Sequence, residues 1–270
     1  MKTGVFYGTE RNNAPYNMLI NSNLRRPINQ RGATYAPMWD YGIDMWREYA
    51  GNARADFAFD ADGMTLTGTL AQRVPSSAFI TGNPYSAALY MADGTVLVAS
   101  GVVNTSGSPW TGFASAEKGN VKIALFTDSQ DGSYIGVRIG ASGEKIRACA
   151  LYEGEYTADT VPPYVPKEDT AEIMACKRWY LHLDESKWHL ITRAYGDLTR
   201  FEVLGSFVRA PTLIGSPRAF VNDGTWHDLT IASVNLLADR CVVRFRGLED
   251  LMTIGDTYLI TGIKGMSCEP

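Results

Sequence analysis

Long hydrophobic runs are missing from this sequence. No stretch approaches the roughly 20 apolar residues that a membrane-spanning helix needs, and residues 1–13 contain an early lysine with no apolar run after it. A secretory signal peptide requires such a run, so we expect neither a signal peptide nor membrane insertion. A protein of this kind would leave a cell by lysis or as part of a particle.

A strong excess of one charge is missing too. The chain of 270 residues has 25 Lys and Arg against 29 Asp and Glu, a formal net charge of −4, with no block of like charges. Nucleic-acid-binding domains usually present a basic face, so we expect no nucleic-acid partner. The length suggests one large or two ordinary domains, and 45% hydrophobic with 20% charged residues is typical of globular proteins.

Cysteine and histidine are scarce and scattered. They are Cys149, Cys176, Cys241, Cys268, His182, His189 and His227. Zinc sites usually use closely spaced ligand pairs such as C-x-x-C, so we predict no metal site and no cofactor. We expect buried free thiols, formed in a reducing cytoplasm, and histidines with structural roles.

Motifs of common enzymes are also missing. There is no G-x-x-x-x-G-K-[ST] phosphate loop and no G-x-S-x-G nucleophile elbow. Gly136, Gly140 and Gly143 precede no helix, and we interpret them as strand and turn glycines. Carboxylates are plentiful, but a glycosidase pair is defined by its separation in space. We therefore predict no enzyme and no catalytic residue, and keep a glycan depolymerase as a remote alternative.

Asp-Gly turns are the clearest feature that is present. They occur at residues 62–63, 93–94, 131–132 and 223–224. Asp-Gly between alternating runs marks a β-hairpin. On either side of the third turn, every second residue is apolar: Val121, Ile123, Leu125, then Ile135, Val137, Ile139. This pattern predicts a sheet with one buried face.

We predict an all-β fold of two consecutive antiparallel β-sandwich or jelly-roll domains. An N-terminal arm or attachment segment would span residues 1–35, the first domain 36–166 and the second 167–270. Residues 159–166 contain three prolines and predict a connector. Residues 169–172 (DTAE) have the spacing of a capping box and predict a short helix to about Trp179. Further strands are expected at 145–152, 201–204, 226–234, 241–246 and 257–263.

Aromatic residues are the most informative candidates for binding. The chain has 6 Trp, 14 Tyr and 10 Phe. Flat aromatic side chains stack on the C–H faces of sugars, and binding surfaces favour Trp and Tyr because they bury a large area. Trp110, Trp188 and Trp226 lie in or near predicted turns, so we select them as ligand-binding candidates; ordinary packing is the alternative. Trp46 and Trp179 are assigned to packing.

Six segments of the chain carry a resemblance to known proteins. They are residues 17–32 (NMLINSNLRRPINQRG), 41–46 (YGIDMW), 151–156 (LYEGEY), 163–167 (PYVPK), 172–180 (EIMACKRWY) and, more weakly, 207–213 (FVRAPTL). Together they resemble a family of tail-fibre and receptor-binding proteins from phages and prophages of gut Firmicutes. The match spans roughly residues 17 to 213. Met45, Lys177 and Trp179 stand where the family usually has arginine, glutamine and tyrosine.

The resemblance implies a virion protein of the tail that is assembled in the cytoplasm of the bacterial host. Its first domain would resemble a carbohydrate-binding module, and the chain would form a homotrimer that contacts other tail proteins. We expect attachment to a host-surface glycan or protein. A purely structural virion component, in a baseplate, collar or head fibre, is the alternative. The family pattern transfers no catalytic or binding residue.

Overall fold

The computed structural model describes residues 15–49, 54–103, 110–111, 115–127, 134–183, 189–193, 199–204, 207, 211–221, 223–236, 240–246 and 257–267. The chain divides into two compact units, Met1–Arg26 with Asn52–Pro166 and Pro27–Gly51 with Lys167–Pro270. Both are built from antiparallel strands, which confirms the predicted all-β class. Within the described ranges, no helix is long and apolar enough to cross a membrane.

The first eleven strands extend to the start of the proline-rich segment. They are β1 (Tyr35–Ala36), β2 (Tyr41–Ile43), β3 (Trp46–Glu48), β4 (Ala55–Phe59), β5 (Met64–Pro75), β6 (Pro84–Met91), β7 (Val96–Val103), β8 (Trp110–Thr111), β9 (Ser115–Lys118), β10 (Val121–Thr127) and β11 (Tyr134–Glu153). Strands β4 to β11 belong to the first unit, and β1 to β3 belong to the second.

The second unit continues with one helix and eight strands. They are α1 (Asp169–Lys177), β12 (Tyr180–His182), β13 (His189–Arg193), β14 (Thr199–Leu204), β15 (Thr212–Phe220), β16 (Trp226–Asp228), β17 (Thr230–Leu236), β18 (Arg240–Arg246) and β19 (Thr257–Ser267). Strands β12 to β19 form a sheet with the order β16-β15-β19-β13-β14-β18-β17 and with β12 also on β19, whereas β2 and β3 pair with each other outside this sheet. The core of this unit includes Val243, Phe245, Ile260, Ile263 and Met266.

Strand β11 organises the first unit. Its first half lies between β10 and β5, and its second half pairs with β6. The hairpins β4–β5 and β6–β7 complete most of the sheet, while β7 also lies close to β9 and β10. The sheet therefore curls over itself, as a β-sandwich does when two inner faces share a core.

The predicted alternation on β10 and β11 is confirmed for the apolar face, although Ala124 and Phe126 on the other face of β10 are buried too. Ile123 lies opposite Ile139 and Leu125 opposite Val137, and all four side chains are buried while Lys122 is exposed. Three Asp-Gly pairs join antiparallel strands, as hairpin turns do: β4–β5, β6–β7 and β15–β16. The pair at 131–132 lies outside the described residues.

The structure joins two predicted strands into one. We expected a turn around Gly143 between strands 134–139 and 145–152, but β11 continues through it for 20 residues. Its register against β5 shifts between Ser142 and Glu144, and Gly143 has a φ of 94°. Glycine there is accommodated as a β-bulge, which bends a strand without ending it.

The helix begins differently from the sequence prediction. Glu168, not Asp169, is the N-cap, and its carboxylate accepts hydrogen bonds from the backbone N–H groups of Thr170 and Ala171 at 2.9 and 2.7 Å. These bonds hold the pKa of Glu168 below its ordinary value. Glutamate with its longer side chain thus satisfies the N–H groups that the first helical turn leaves unpaired.

The segment predicted as an attachment arm, residues 1–35, forms no separate element where it is described. Residues 15–26 belong to the first unit and 27–35 to the second. Asn17 is buried and its side-chain oxygen accepts the N–H of Leu151, while the Met18 N–H donates to the Leu151 carbonyl. The N–H of Cys149 donates to Ser22. These bonds attach the segment along the second half of β11.

Candidate functional sites

The three tryptophans selected from the sequence have different surroundings. Trp110 lies on the short strand β8, where it pairs with Val103, and nothing is described of its side chain. Trp188 lies outside the described residues. Trp226 is half-buried on β16, and its ring packs against Phe220 at 5.5 Å between centroids. Trp110 belongs to the first unit and Trp226 to the second.

An exposed tryptophan that the sequence analysis did not select stands at a turn before β2. Trp39 is 48% exposed, and its neighbours Met38 and Tyr35 are 56% and 41% exposed. The turn is closed by the Asp40 N–H, which donates to the Pro37 carbonyl at 3.0 Å. We call residues 35–40 the Trp39 turn.

The backbone of Trp39 is in the left-handed region, with a φ of 59°. That conformation costs a bulky residue about 1–3 kcal/mol, so neighbouring groups must hold it. The Trp39 N–H donates to the Glu48 carboxylate at 3.0 Å, and the Arg47 guanidinium donates to the Trp39 carbonyl at 2.6 Å. The Trp39 and Tyr49 rings form a T-shaped contact with 5.4 Å between their centroids.

The Trp39 turn has the properties of a small binding surface. Strained backbone persists where surrounding structure fixes it, often at ligand sites. Here Glu48, itself buried, and Arg47 both come from the adjacent hairpin β2–β3. The backbone that carries this half-exposed aromatic ring is therefore fixed, which reduces the entropy lost when a ligand stacks on the ring.

Residues from three of the resembling segments meet in the second unit. The fully buried Asp44 carboxylate accepts hydrogen bonds from Arg31 at 3.1 Å and from the Gln30 side chain at 2.6 Å. The Arg31 guanidinium lies 3.5 Å from the centroid of the Tyr180 ring. Gln30 also donates to the Tyr180 carbonyl at 3.0 Å. We call these four residues the Asp44 cluster.

Burial sets the protonation behaviour of the Asp44 cluster. Desolvation raises the pKa of Asp44 above its ordinary value of 3.8, and the hydrogen bonds and charge of Gln30 and Arg31 oppose this rise. A buried carboxylate is tolerable only with such partners. The cluster connects the two stretches of sequence that make up the second unit, Pro27–Gly51 and Lys167–Pro270. Its role is therefore structural.

A groove of about 670 Å³ lies entirely within the first unit. Its lining includes three arginines, Arg25, Arg26 and Arg147, and two tyrosines, Tyr90 and Tyr164, but no carboxylate. Small-molecule sites commonly measure ~300–1,000 Å³. We call it the arginine groove.

The arginines reach the groove from distant parts of the sequence. The register of β11 against β6 shifts between Ile146 and Ala148, so Arg147 is the extra residue of a β-bulge. A bulge changes the direction of a side chain relative to the regular sheet. Asn23 bridges to Ala148, and this bridge brings Arg25 and Arg26, two and three positions after Asn23, close to Arg147. The Arg25 Nε donates to the Ala61 carbonyl at 2.8 Å.

The proline-rich segment forms another wall of the arginine groove. The Tyr90 hydroxyl donates to the Pro162 carbonyl at 2.6 Å, and the Tyr164 hydroxyl lies 3.0 Å from the Ser22 hydroxyl. The Tyr90 and Tyr164 rings are 5.7 Å apart, and burial raises the pKa of Tyr90. This segment, which we predicted to be a connector, is therefore packed onto the first unit.

The histidines and the described cysteines lie outside these places. His227 bonds Asp223 at 2.7 Å and Thr225 at 2.8 Å, within the β15–β16 turn. His182 and His189 lie on β12 and β13. Cys149, Cys176 and Cys241 are buried free thiols. In the part of the chain that the structure describes, no three or more His, Cys, Asp or Glu side chains are grouped to hold a metal ion.

No family model, no curated protein and no solved structure matches this chain.

Proposed function

We propose that the chain is a virion adhesin, a tail-fibre or receptor-binding component of a bacteriophage that attaches to a glycan on the host surface. The observation that carries the proposal is the Trp39 turn. Glu48 and Arg47 fix an unfavourable backbone conformation there and so keep a tryptophan exposed. An exposed aromatic surface of this kind suits stacking on a sugar ring.

The resemblance to phage tail proteins supports the same proposal. Gln30, Arg31, Asp44 and Tyr180 come from three of the resembling segments, and they contact one another in the second unit. The three segments thus share one structural role in this unit, which supports the proposal. The loops and turns around such a framework are free to vary with the receptor.

Low affinity at each site would suit an adhesin present in several copies. One tryptophan stacked on one sugar gives weak binding, but linked sites raise the effective concentration of the second contact and strengthen attachment. We propose a homotrimer joined to other tail proteins as the multivalent form.

The test is binding of the purified, fluorescently labelled protein to a panel of gut Firmicutes, with and without periodate treatment of the cells. We expect selective binding that periodate abolishes, because periodate cleaves sugar diols. Trp39→Ala should weaken binding at least about tenfold, as loss of a central aromatic contact does.

Met174→Ala is the control, since it removes an exposed apolar side chain on α1 of the same unit, and Trp226→Ala tests the selected tryptophan that packs on Phe220. Trp110→Ala and Trp188→Ala test the other two residues selected from the sequence. Unchanged binding by a folded Trp39→Ala protein would contradict the role of the turn. Absence of binding to every strain would favour the purely structural virion component, and release of sugar from the cells would favour a depolymerase.

A further inference from the structure

We propose that the arginine groove of the first unit binds an anionic saccharide, a sugar bearing a phosphate or a carboxylate. This inference rests on the proposed function, because it names the chemical class of glycan that the adhesin takes. It concerns a different unit and different residues from the Trp39 turn.

Charge is the first argument for an anionic ligand. Three arginines and no acidic residue line the groove, in a chain whose formal net charge is −4. Among the described residues, no acidic side chain pairs with Arg26 or Arg147, whereas Arg54 and Arg218 each have a carboxylate within 3.1 Å. Guanidinium groups bind phosphate and carboxylate oxygens with two parallel hydrogen bonds.

The backbone that carries the arginines is the second argument. Arg147 occupies a β-bulge, and the Asn23–Ala148 bridge holds the start of the Arg25–Arg26 turn against the same strand. The Arg26 N–H donates to the Asn23 carbonyl at 3.2 Å, which closes the turn. These contacts fix the backbone from which the arginine side chains extend, and a backbone fixed before the ligand arrives reduces the entropy cost of binding.

The remaining walls suit the carbon skeleton of a sugar. Val161, Pro162 and Pro163 present C–H groups, and Tyr164 adds an aromatic ring. The hydroxyls of Tyr90 and Tyr164 hold this wall in place. A ligand with an anionic group at one end and a ring at the other therefore matches both halves of the groove. A long polyanion matches less well, because the chain as a whole is acidic.

Isothermal titration calorimetry of the whole chain provides the test, with glucose 1-phosphate, glucuronate, glucose and inorganic phosphate as probes. We expect glucose 1-phosphate or glucuronate to bind more tightly than both glucose and inorganic phosphate. The preferred probe of the two identifies phosphate or carboxylate as the anion. Higher salt should weaken this binding, because the charges are partly exposed.

Arg147→Gln should weaken binding of the preferred probe at least about tenfold, since each guanidinium contact to an anion is a strong one. Arg54→Gln makes the same charge change in the same unit away from the groove and should bind normally. Arg26→Gln gives a second variant if Arg147→Gln does not fold.

Equal binding of the anionic sugars to wild type, Arg147→Gln and Arg26→Gln would overturn the inference, as would binding of inorganic phosphate as tight as that of the sugars. Lack of any binding would overturn it too. The outcome is separable from the Trp39 proposal, because Trp39→Ala should leave binding of the anionic sugars unchanged while it weakens attachment to cells.

Discussion

Asp44 shows at the scale of one residue how a buried charge depends on its partners. Removal of Arg31 by Arg31→Met would leave the fully buried carboxylate without its ion pair, and this typically costs about 3–5 kcal/mol. Asp44→Asn should cost less, because the amide needs no counter-charge. The double variant should be more stable than Arg31→Met alone. Urea denaturation at pH 7 measures all three.

The pH dependence of these variants follows from the direction of the pKa shift. Burial raises the pKa of Asp44 in the folded protein above 3.8, so the folded state keeps the proton to higher pH than the unfolded chain. The destabilisation caused by the buried Asp44 charge is therefore complete above the pKa that Asp44 has in the folded protein. It disappears as the pH falls towards 3.8, the pKa in the unfolded chain. The loss of unfolding free energy in Arg31→Met relative to wild type should therefore become smaller as the pH is lowered. A deficit independent of pH would contradict this account.

Strand β11 shows at the scale of an element why its glycines differ. A Cβ on Gly136 would lie 2.3 Å from the backbone oxygen of Gln72, whereas a Cβ on Gly140 would meet only Thr69 Oγ1 at 3.7 Å. Gly136→Ala should therefore destabilise the protein by about 3 kcal/mol, and Gly140→Ala should change its stability by less than about 0.5 kcal/mol. Thermal unfolding of the two variants gives the comparison. Equal effects would contradict the close approach of the β5 backbone to Gly136 on β11.

The same element shows what the sequence could and could not predict. The apolar residue at every second position correctly identified the buried face of β10 and β11, because burial of one face imposes a period of two residues. The continuity of β11 through Gly143 could not be predicted, since glycine permits both a turn and a bulge. Glu168 was missed as the helix cap because Asp169 offered the more usual residue type at a neighbouring position.

The sites were harder to predict than the strands. Trp39 has no composition signal that separates it from the other tryptophans, and its exposure depends on Glu48 and Arg47 across a hairpin. The arginine groove joins Arg25 and Arg147, which are far apart in sequence, through a bulge and a single bridge. Each depends on long-range geometry that no local pattern contains.

At the scale of the whole molecule, β17 is an edge strand of the second sheet, where its described pairing is with β18 alone. Exposed edges promote association unless they are covered, and Ile231 on this strand is exposed. We predict that light scattering at micromolar concentration gives three times the chain mass of 29.6 kDa. Ile231→Lys should shift the protein towards monomer, whereas Lys122→Gln, on an exposed position of the first unit, should not. A monomeric wild type would contradict the trimer.

The hydrogen bonds between residues 17–22 and β11 impose a delay during synthesis. Asn17 and Leu151 are 134 positions apart, and ribosomes add about 5–20 residues per second, so Asn17 waits roughly 7 to 27 seconds for its partner. During that interval residues 17–22 lack the β11 backbone partners that they have in the finished protein, where Leu19 is buried. The nascent chain is therefore exposed to aggregation until β11 leaves the ribosome, and slower translation of this region would lengthen the exposure.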